Sequence, residues 1–410
     1  MVSLPADFVA ETRRIMGDER FNRFLGAFDE EAPTSIRVNT RIDIEHGTLT
    51  IDHFDNQVPW CHEGYYLKDR PQFTFDPMLH AGCYYVQEAS SMFVTHILRN
   101  VQCSMFNVQC ALDACAAPGG KSTALRSVLS EECVLVSNEP MGNRAQILLE
   151  NITKWGAPNC IVTNNYPRDF RKAKLKFDLI LCDVPCSGEG MFRKDEGAIA
   201  EWSPDHVQRC SQLQREIVGE AWQCLRPGGL LVYSTCTFNT HENEENVKWI
   251  LETFDAEILP VETRPEWNIT GSLLPGFTAP VSRFIPGRTR GEGLFMAAIR
   301  KKGDAAPKSW QKNMQGMRKL KVISENRLPE SLPQVELTYE QALQYLRREA
   351  LVLPSDAPRG LLTVSYQGLP LGQVKNIGSR ANNLYPKEWR IKSTHHEGKT
   401  LVLAQRTPNE

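Results

Sequence analysis

Along the middle of the chain, apolar and polar positions fall into two alternating kinds of segment. Short apolar or β-branched runs lie at Cys110–Cys115, Cys133–Asn138, Ile161–Asn165, Phe177–Asp183 and Leu230–Thr235. Between several of them, at Lys121–Ser130, Gly142–Trp155 and Pro204–Leu225, apolar residues recur at the spacing of a helix with one buried face. Strands this short alternating with helices predict an α/β fold built on a doubly wound, mostly parallel sheet. Arg226-Pro227-Gly228-Gly229 ends the last helix sharply before the next strand. Leu294–Arg300 is a late apolar run expected to close the sheet edge.

The flanks read differently. Residues 1–100 open with an amphipathic pattern near Phe8–Phe24 and carry Ser35-Ile36-Arg37-Val38-Asn39 and Gln87-Glu88-Ala89-Ser90-Ser91-Met92. Residues 101–301 hold the sheet. Residues 302–330 are polar, and over Arg300–Arg327 nine Lys or Arg face two acids, the pattern of a linker or a basic arm. Residues 331–410 combine a helix around Thr338–Arg348 with alternating runs at Leu361–Tyr366 and Leu401–Ala404, a small and mostly β module.

Composition narrows this picture. A chain of 410 residues exceeds one ordinary core, and 41% hydrophobic with 23% charged residues is usual for a globular protein. No stretch of 18 uncharged apolar residues occurs and the first residues include acids, so neither a membrane span nor a signal peptide is expected. Twelve scattered cysteines without a CxxC pair suit free thiols in a reducing cytoplasm rather than disulfides or a metal site. A net charge of −2 means that any nucleic acid must be held by a local basic face.

Two features carry chemistry. Asp113-Ala114-Cys115-Ala116-Ala117-Pro118-Gly119-Gly120-Lys121-Ser122 joins the first core strand to the first core helix. A glycine-rich turn there lets a ligand approach the backbone at a helix N-terminus. It is neither GxGxxG nor the phosphate loop of an NTPase. The next strand ends in Asn138-Glu139-Pro140, where an ionised Glu can accept from both hydroxyls of a ribose. Farther on, Asp183-Val184-Pro185-Cys186-Ser187-Gly188-Glu189-Gly190 and Tyr233-Ser234-Thr235-Cys236-Thr237 end two more strands on the same side of the sheet. Carbon 5 of cytosine is a poor nucleophile until a thiolate adds at carbon 6. An acidic group near N3 favours that addition, and a base must later remove the carbon 5 proton. Cys236, Asp183 and Cys186 supply such a set.

These motifs, together with LRPGG, SIRVN and YVQEASSM, resemble those of the RNA cytosine-5 methyltransferases of the Sun/Fmu type, and most of all the bacterial F-type branch that modifies small-subunit ribosomal RNA. The resemblance implies a Rossmann-like core, S-adenosyl-L-methionine as cofactor and RNA as partner; no metal is expected, because the methyl sulfonium carries its own leaving group, and a monomer is expected. It implies that Cys115, Ala116, Ala117, Pro118, Gly119, Gly120 and Lys121, with Glu139 and Asp183, contact the cofactor. Cys236 is then the nucleophile, with Cys186 assisting release of the methylated RNA. In DNA cytosine methyltransferases the cysteine of the PC motif attacks instead. Where the third strand commonly leads to an Asp that reaches the adenine or ribose, this chain has Asn165-Tyr166. Tyr166 stacking, a hydrogen bond from Asn165, or Asp169 reaching in would each replace it. Gly372–Lys375, Gly378–Arg380 and Asn383–Trp389 are similar to a PUA-like RNA-binding domain, with Tyr385 and Trp389 suited either to base stacking or to an ordinary small core. A tRNA methyltransferase and an inactive RNA-binding assembly factor are the alternatives.

Overall fold

The computed structural model describes residues 3–42, 49–50, 54–105, 108–303, 315–326, 332–393 and 404–405. The amphipathic start forms two helices, α1 (Ala6–Met16) and α2 (Asp18–Gly26), separated at Gly17, whose φ is +76°. Their buried Phe8, Phe21 and Phe24 pack with Phe192 and Phe238 of the central unit. An antiparallel sheet follows in the order β2-β3-β1-β4: β1 (Ser35–Val38), β2 (Phe54–Gln57), β3 (Gly64–Leu67) and β4 (Tyr84–Val86).

The central unit alternates as its pattern requires. Its elements are β5 (Cys110–Asp113), α3 (Gly120–Val128), β6 (Val134–Asn138), α4 (Gly142–Trp155), β7 (Cys160–Thr163), α5 (Pro167–Lys172), β8 (Phe177–Asp183), α6 (Pro204–Cys224) and β9 (Leu225–Thr235). After β9 come α7 (Glu244–Thr253), β10 (Ala256–Leu259), β11 (Ser282–Phe284), β12 (Leu294–Lys301) and β13 (Val322–Asn326). The sheet order is β10-β12-β9-β8-β5-β6-β7-β13, with β11 also on β12. Strands β5 to β9 pair in parallel. Chain direction across the sheet reverses between β5 and β8, so their carboxyl ends open the crevice where such folds bind ligands.

Two expectations give way. The late strand β12 is not an edge: it lies antiparallel between β9 and β10. The short run Ala-Glu-Ile-Leu of β10 was too brief to announce itself. The polar stretch after β12 is not wholly a free linker or arm either. Met317 and Leu320 are buried in the core, and β13 adds antiparallel to β7. Two buried apolar residues among many cations suffice to seat it.

The C-terminal module follows its pattern: β14 (Gln334–Glu336), α8 (Tyr339–Leu346) with Thr338 as N-cap, β15 (Gly360–Tyr366), β16 (Leu369–Asn376) and β17 (Ala381–Asn383). The run expected at Leu401–Ala404 lies mostly outside the described residues. Of the two aromatics suited to stacking, Tyr385 is buried at 3% exposure against Tyr345, which removes it from any base-stacking role. Apolar residues of this module share one cluster with Ile36, Phe75, Met78 and Tyr84 of the N-terminal sheet region. No helix among the described residues is long and apolar enough to cross a membrane.

Candidate active site

The glycine-rich loop leaves β5 and enters α3 through Gly119, whose φ of +117° is left-handed territory that favours glycine. Cys115 and Ala116 are buried, and burial pushes the Cys115 thiol far above its ordinary range. Helix α4 grips the far side of the loop. Arg144 donates to the Ala117 carbonyl at 3.0 Å and Asn151 to that of Pro118 at 2.7 Å. Behind the loop, Ser122 donates to Asp113 at 2.7 Å, and burial pushes Asp113 up to about 7. Fully buried Arg37 of SIRVN reaches Ser127 at 2.8 Å and Thr123 at 2.5 Å, tying the N-terminal sheet to α3.

Glu139, 1% exposed, directly follows β6. Its Oε1 accepts from the Met141 amide at 2.9 Å. Its Oε2 has no hydrogen-bond donor among the described residues, and the Arg144 guanidinium lies 3.6 Å away. A buried carboxylate oxygen without a donor is costly unless a ligand supplies one. A ribose hydroxyl is the right chemistry, so the residues present fit S-adenosylmethionine.

At the third strand, both ends of the Asn165 amide are held by Lys321: Nδ2 donates to its carbonyl at 3.1 Å and Oδ1 accepts from its amide at 3.0 Å. The Asp169 carboxylate accepts from the Tyr166 amide at 3.0 Å, capping α5. The Asn165 amide and the Asp169 carboxylate thus both have local partners. Tyr166 is left, 53% exposed, with Arg168 over its ring at 5.1 Å.

Asp183 ends β8 and takes Lys121 at 2.9 Å. Burial alone would lower the Lys121 ammonium, but Asp183, with Cys236 adding, holds it above its ordinary value. Beside this pair, Cys186 Sγ lies 3.2 Å from Cys236 Sγ. That hydrogen bond, and then burial, pushes the Cys186 thiol well up, and either sulfur can be the donor of the pair. The two loops touch through backbone: the Gly190 amide donates to the Cys236 carbonyl at 2.7 Å, and a Cβ at Gly190 would stand 2.6 Å from that oxygen.

Beneath the cysteines is a buried polar network that the motifs did not announce. Glu189 accepts from Thr237, from the amides of Phe238 (2.7 Å) and Asn239 (2.9 Å), and from Trp202 (3.0 Å). Glu242 accepts from the Ser187 amide (3.0 Å), Gln214 (2.7 Å) and Asn239 (2.8 Å). Burial and the neighbouring Glu189 push Glu242 up to about 7. Glu242 lies in the acid- and amide-rich run Thr240–Asn246, which begins four residues after Cys236.

Comparison with known proteins sets this site in a family. A model described as 16S rRNA methyltransferase RsmB/F matches residues 103–300. The N-terminal domain of 16S rRNA methyltransferase RsmF matches residues 4–89, and the methyltransferase RsmF PUA domain matches 332–391. The ribosomal RNA small subunit methyltransferase F of Klebsiella pneumoniae is 30% identical over 94% of this chain and 96% of its own. The chain belongs to the RsmB/F methyltransferase family. The enzyme of the same name from Escherichia coli K12 is also 30% identical over 94% and 96%. Among solved structures, a methyltransferase homolog from Pyrococcus horikoshii is 27% identical, with a TM-score of 0.55 over 73% of this chain and 100% of that one. A methyltransferase of this family, with its Rossmann-like core and C-terminal PUA domain, thus carries the two-cysteine cleft between the carboxyl ends of β8 and β9.

Proposed function

We propose that this methyltransferase places a methyl group on carbon 5 of a cytosine in RNA, the small-subunit ribosomal RNA by its relatives' names, with Cys236 as covalent nucleophile. The observation that carries the reading is the 3.2 Å approach of Cys186 to Cys236 beside Asp183. Glu139 and the backbone of Cys115–Lys121 would hold S-adenosylmethionine, which supplies an electrophilic methyl when bound. Tyr166 offers a face for its adenine.

The protein's own part follows from proton placement. With Cys186 as the donor of the sulfur–sulfur hydrogen bond, Cys236 would be favoured as thiolate, and the nearby Lys121 ammonium would act in the same direction. A target cytosine must leave its stack to reach this cleft. Cys236 then adds to carbon 6, with Asp183 on the N3 side of the ring, and carbon 5 becomes nucleophilic. After methylation a base takes the carbon 5 proton, the C–H electron pair forms the carbon 5–carbon 6 double bond, the carbon 6–sulfur bond breaks, and Cys236 leaves with its electron pair. Cys186 assists this release. The protein is divided for the task into an RNA-binding extension (1–100), the catalytic unit (101–301) and an RNA-binding module (331–410). Bisulfite sequencing of total RNA from a deletion strain tests the reading. One cytosine of small-subunit RNA should lose its protection there, and unchanged protection in every RNA would overturn it.

A further inference from the structure

Seven residues beyond Cys186, Arg193 helps to wall a cavity. It has a volume of about 430 Å³ and lies between the N-terminal unit and the catalytic unit. Its walls are residues 30–34, the end of β3 with Leu67–Arg70, Arg193, and Gly287–Gly291 between β11 and β12. Five cations line it, Lys68, Arg70, Arg193, Arg288 and Arg290, against three exposed carboxylates, Glu30, Glu31 and Asp69. On a chain of net charge −2, this is a local surplus of positive charge.

The cavity is built, not incidental. A Cβ at Gly287 would stand 2.3 Å from the Arg23 carbonyl, and one at Gly291 2.5 Å from Ser90 Oγ, so the loop is pressed onto the N-terminal unit. Glu88 fixes it further by accepting from the amides of Ser90 and Glu292, each at 2.9 Å. Arg290 lies 4.2 Å over the Tyr66 ring and 2.6 Å from Asp55, while the Tyr66 hydroxyl donates to its carbonyl at 2.5 Å. Arg193, nearly buried, donates to the Glu30 carbonyl at 3.2 Å. Arg193 and Lys194 share one buried carboxylate, Glu292, at 3.5 and 3.4 Å, which leaves one positive charge over.

Both walls on the catalytic side lead to the nucleophile. Arg193 is three residues beyond Gly190, whose amide holds the Cys236 carbonyl, and Gly291 is two residues before Gly293, which touches Gly190. A nucleotide whose base lies against Cys236 keeps its backbone outside the cleft, where phosphates need cations at fixed positions. The geometry points to this cavity as the phosphate site for the nucleotides flanking the target cytosine, with Arg193, Arg288 and Arg290 as its contacts. The inference rests on the RNA-methylation reading above.

The test is the salt dependence of binding to in vitro transcribed small-subunit ribosomal RNA, measured with the full chain. Arg288→Ala and Arg290→Ala should each weaken binding and lower the slope of log Kd against log salt by about one. S-adenosylmethionine affinity should stay unchanged, and Arg288→Lys and Arg290→Lys should keep the slope. A slope unchanged in the alanine variants, with a wild-type enzyme that methylates this RNA, overturns the phosphate site alone. Lysine variants that lose the slope equally overturn it too, since charge would not be what matters. A wild-type chain that neither binds nor methylates RNA overturns the underlying reading along with it.

Discussion

Glu139 is the residue on which the proposed cofactor site can be tested most simply. Its buried Oε2 lacks a hydrogen-bond donor among the described residues, so removing the carboxylate should hurt the bound state specifically. Glu139→Ala is expected to weaken S-adenosylmethionine binding by about 1–3 kcal/mol in calorimetry, and an unchanged affinity would take Glu139 out of the site. Gly190 works by absence of a side chain. With a Cβ 2.6 Å from the Cys236 carbonyl, Gly190→Ala must push the two loops apart. Methyl transfer should collapse while cofactor binding persists, and retained activity would show that the loops tolerate separation. Glu242 adds a pH signature. Its value rises from an ordinary 4.5 to about 7, so the folded chain favours the neutral form. The stability it contributes is complete below pH 4.5 and is lost as pH rises through 7. Wild-type stability should therefore fall across that window with a contribution of up to about 1.4 kcal/mol per pH unit, which Glu242→Gln removes. Asp113 acts in the same direction and remains in the variant. Identical slopes in denaturant titrations of the two proteins would contradict this. The cysteines, the glycine loop and Glu139 were legible because each motif ends a strand and carries its own chemistry. Glu189 and Glu242 were not, because their meaning lies in donors contributed by α6 and by the chain after β9.

At the scale of elements, the parallel strands and their helices could be read directly from apolar runs and stop signals. Phe177–Asp183 and Gly142–Trp155 were placed to the residue. What the pattern hid were elements stabilised by pairing rather than by their own apolar content. Strand β13 has a basic approach and little apolar surface, yet it joins β7 because Asn165 clamps Lys321 and because Met317 and Leu320 bury. Asn165→Ala should therefore speed hydrogen exchange at the Lys321 amide and along β13. It should leave cofactor affinity within about twofold, since side chain–backbone hydrogen bonds of this kind contribute about 0.5–1.5 kcal/mol locally. A large loss of cofactor affinity with unchanged exchange would return Asn165 to the binding site.

At the scale of the molecule, a polar stretch read as a linker before residue 331 would leave the C-terminal module separable from the rest. The packing says otherwise. Met78 and Phe75 of the N-terminal unit share a core with Leu343, Leu346 and Val364 of the C-terminal one, and the Tyr339 hydroxyl donates to the Phe75 carbonyl at 3.0 Å. Deleting 328–410 should expose that core and lower the stability of the remainder. Met78→Ala should cost about 2–5 kcal/mol and destabilise both units in one transition. A truncated chain as stable as the full one would show that the two units fold independently. Sequence periodicity could not reveal this joint core, since each half supplies only part of it.

The central claim is the division of labour between the two thiols, and denaturing gel electrophoresis of enzyme incubated with RNA and S-adenosylmethionine tests it most directly. Cys186→Ala should accumulate a covalent enzyme–RNA complex, because attack by Cys236 proceeds while release fails. Cys236→Ala, and the double variant, should give none. A trapped complex with Cys236→Ala and none with Cys186→Ala would reverse the two roles and contradict the account.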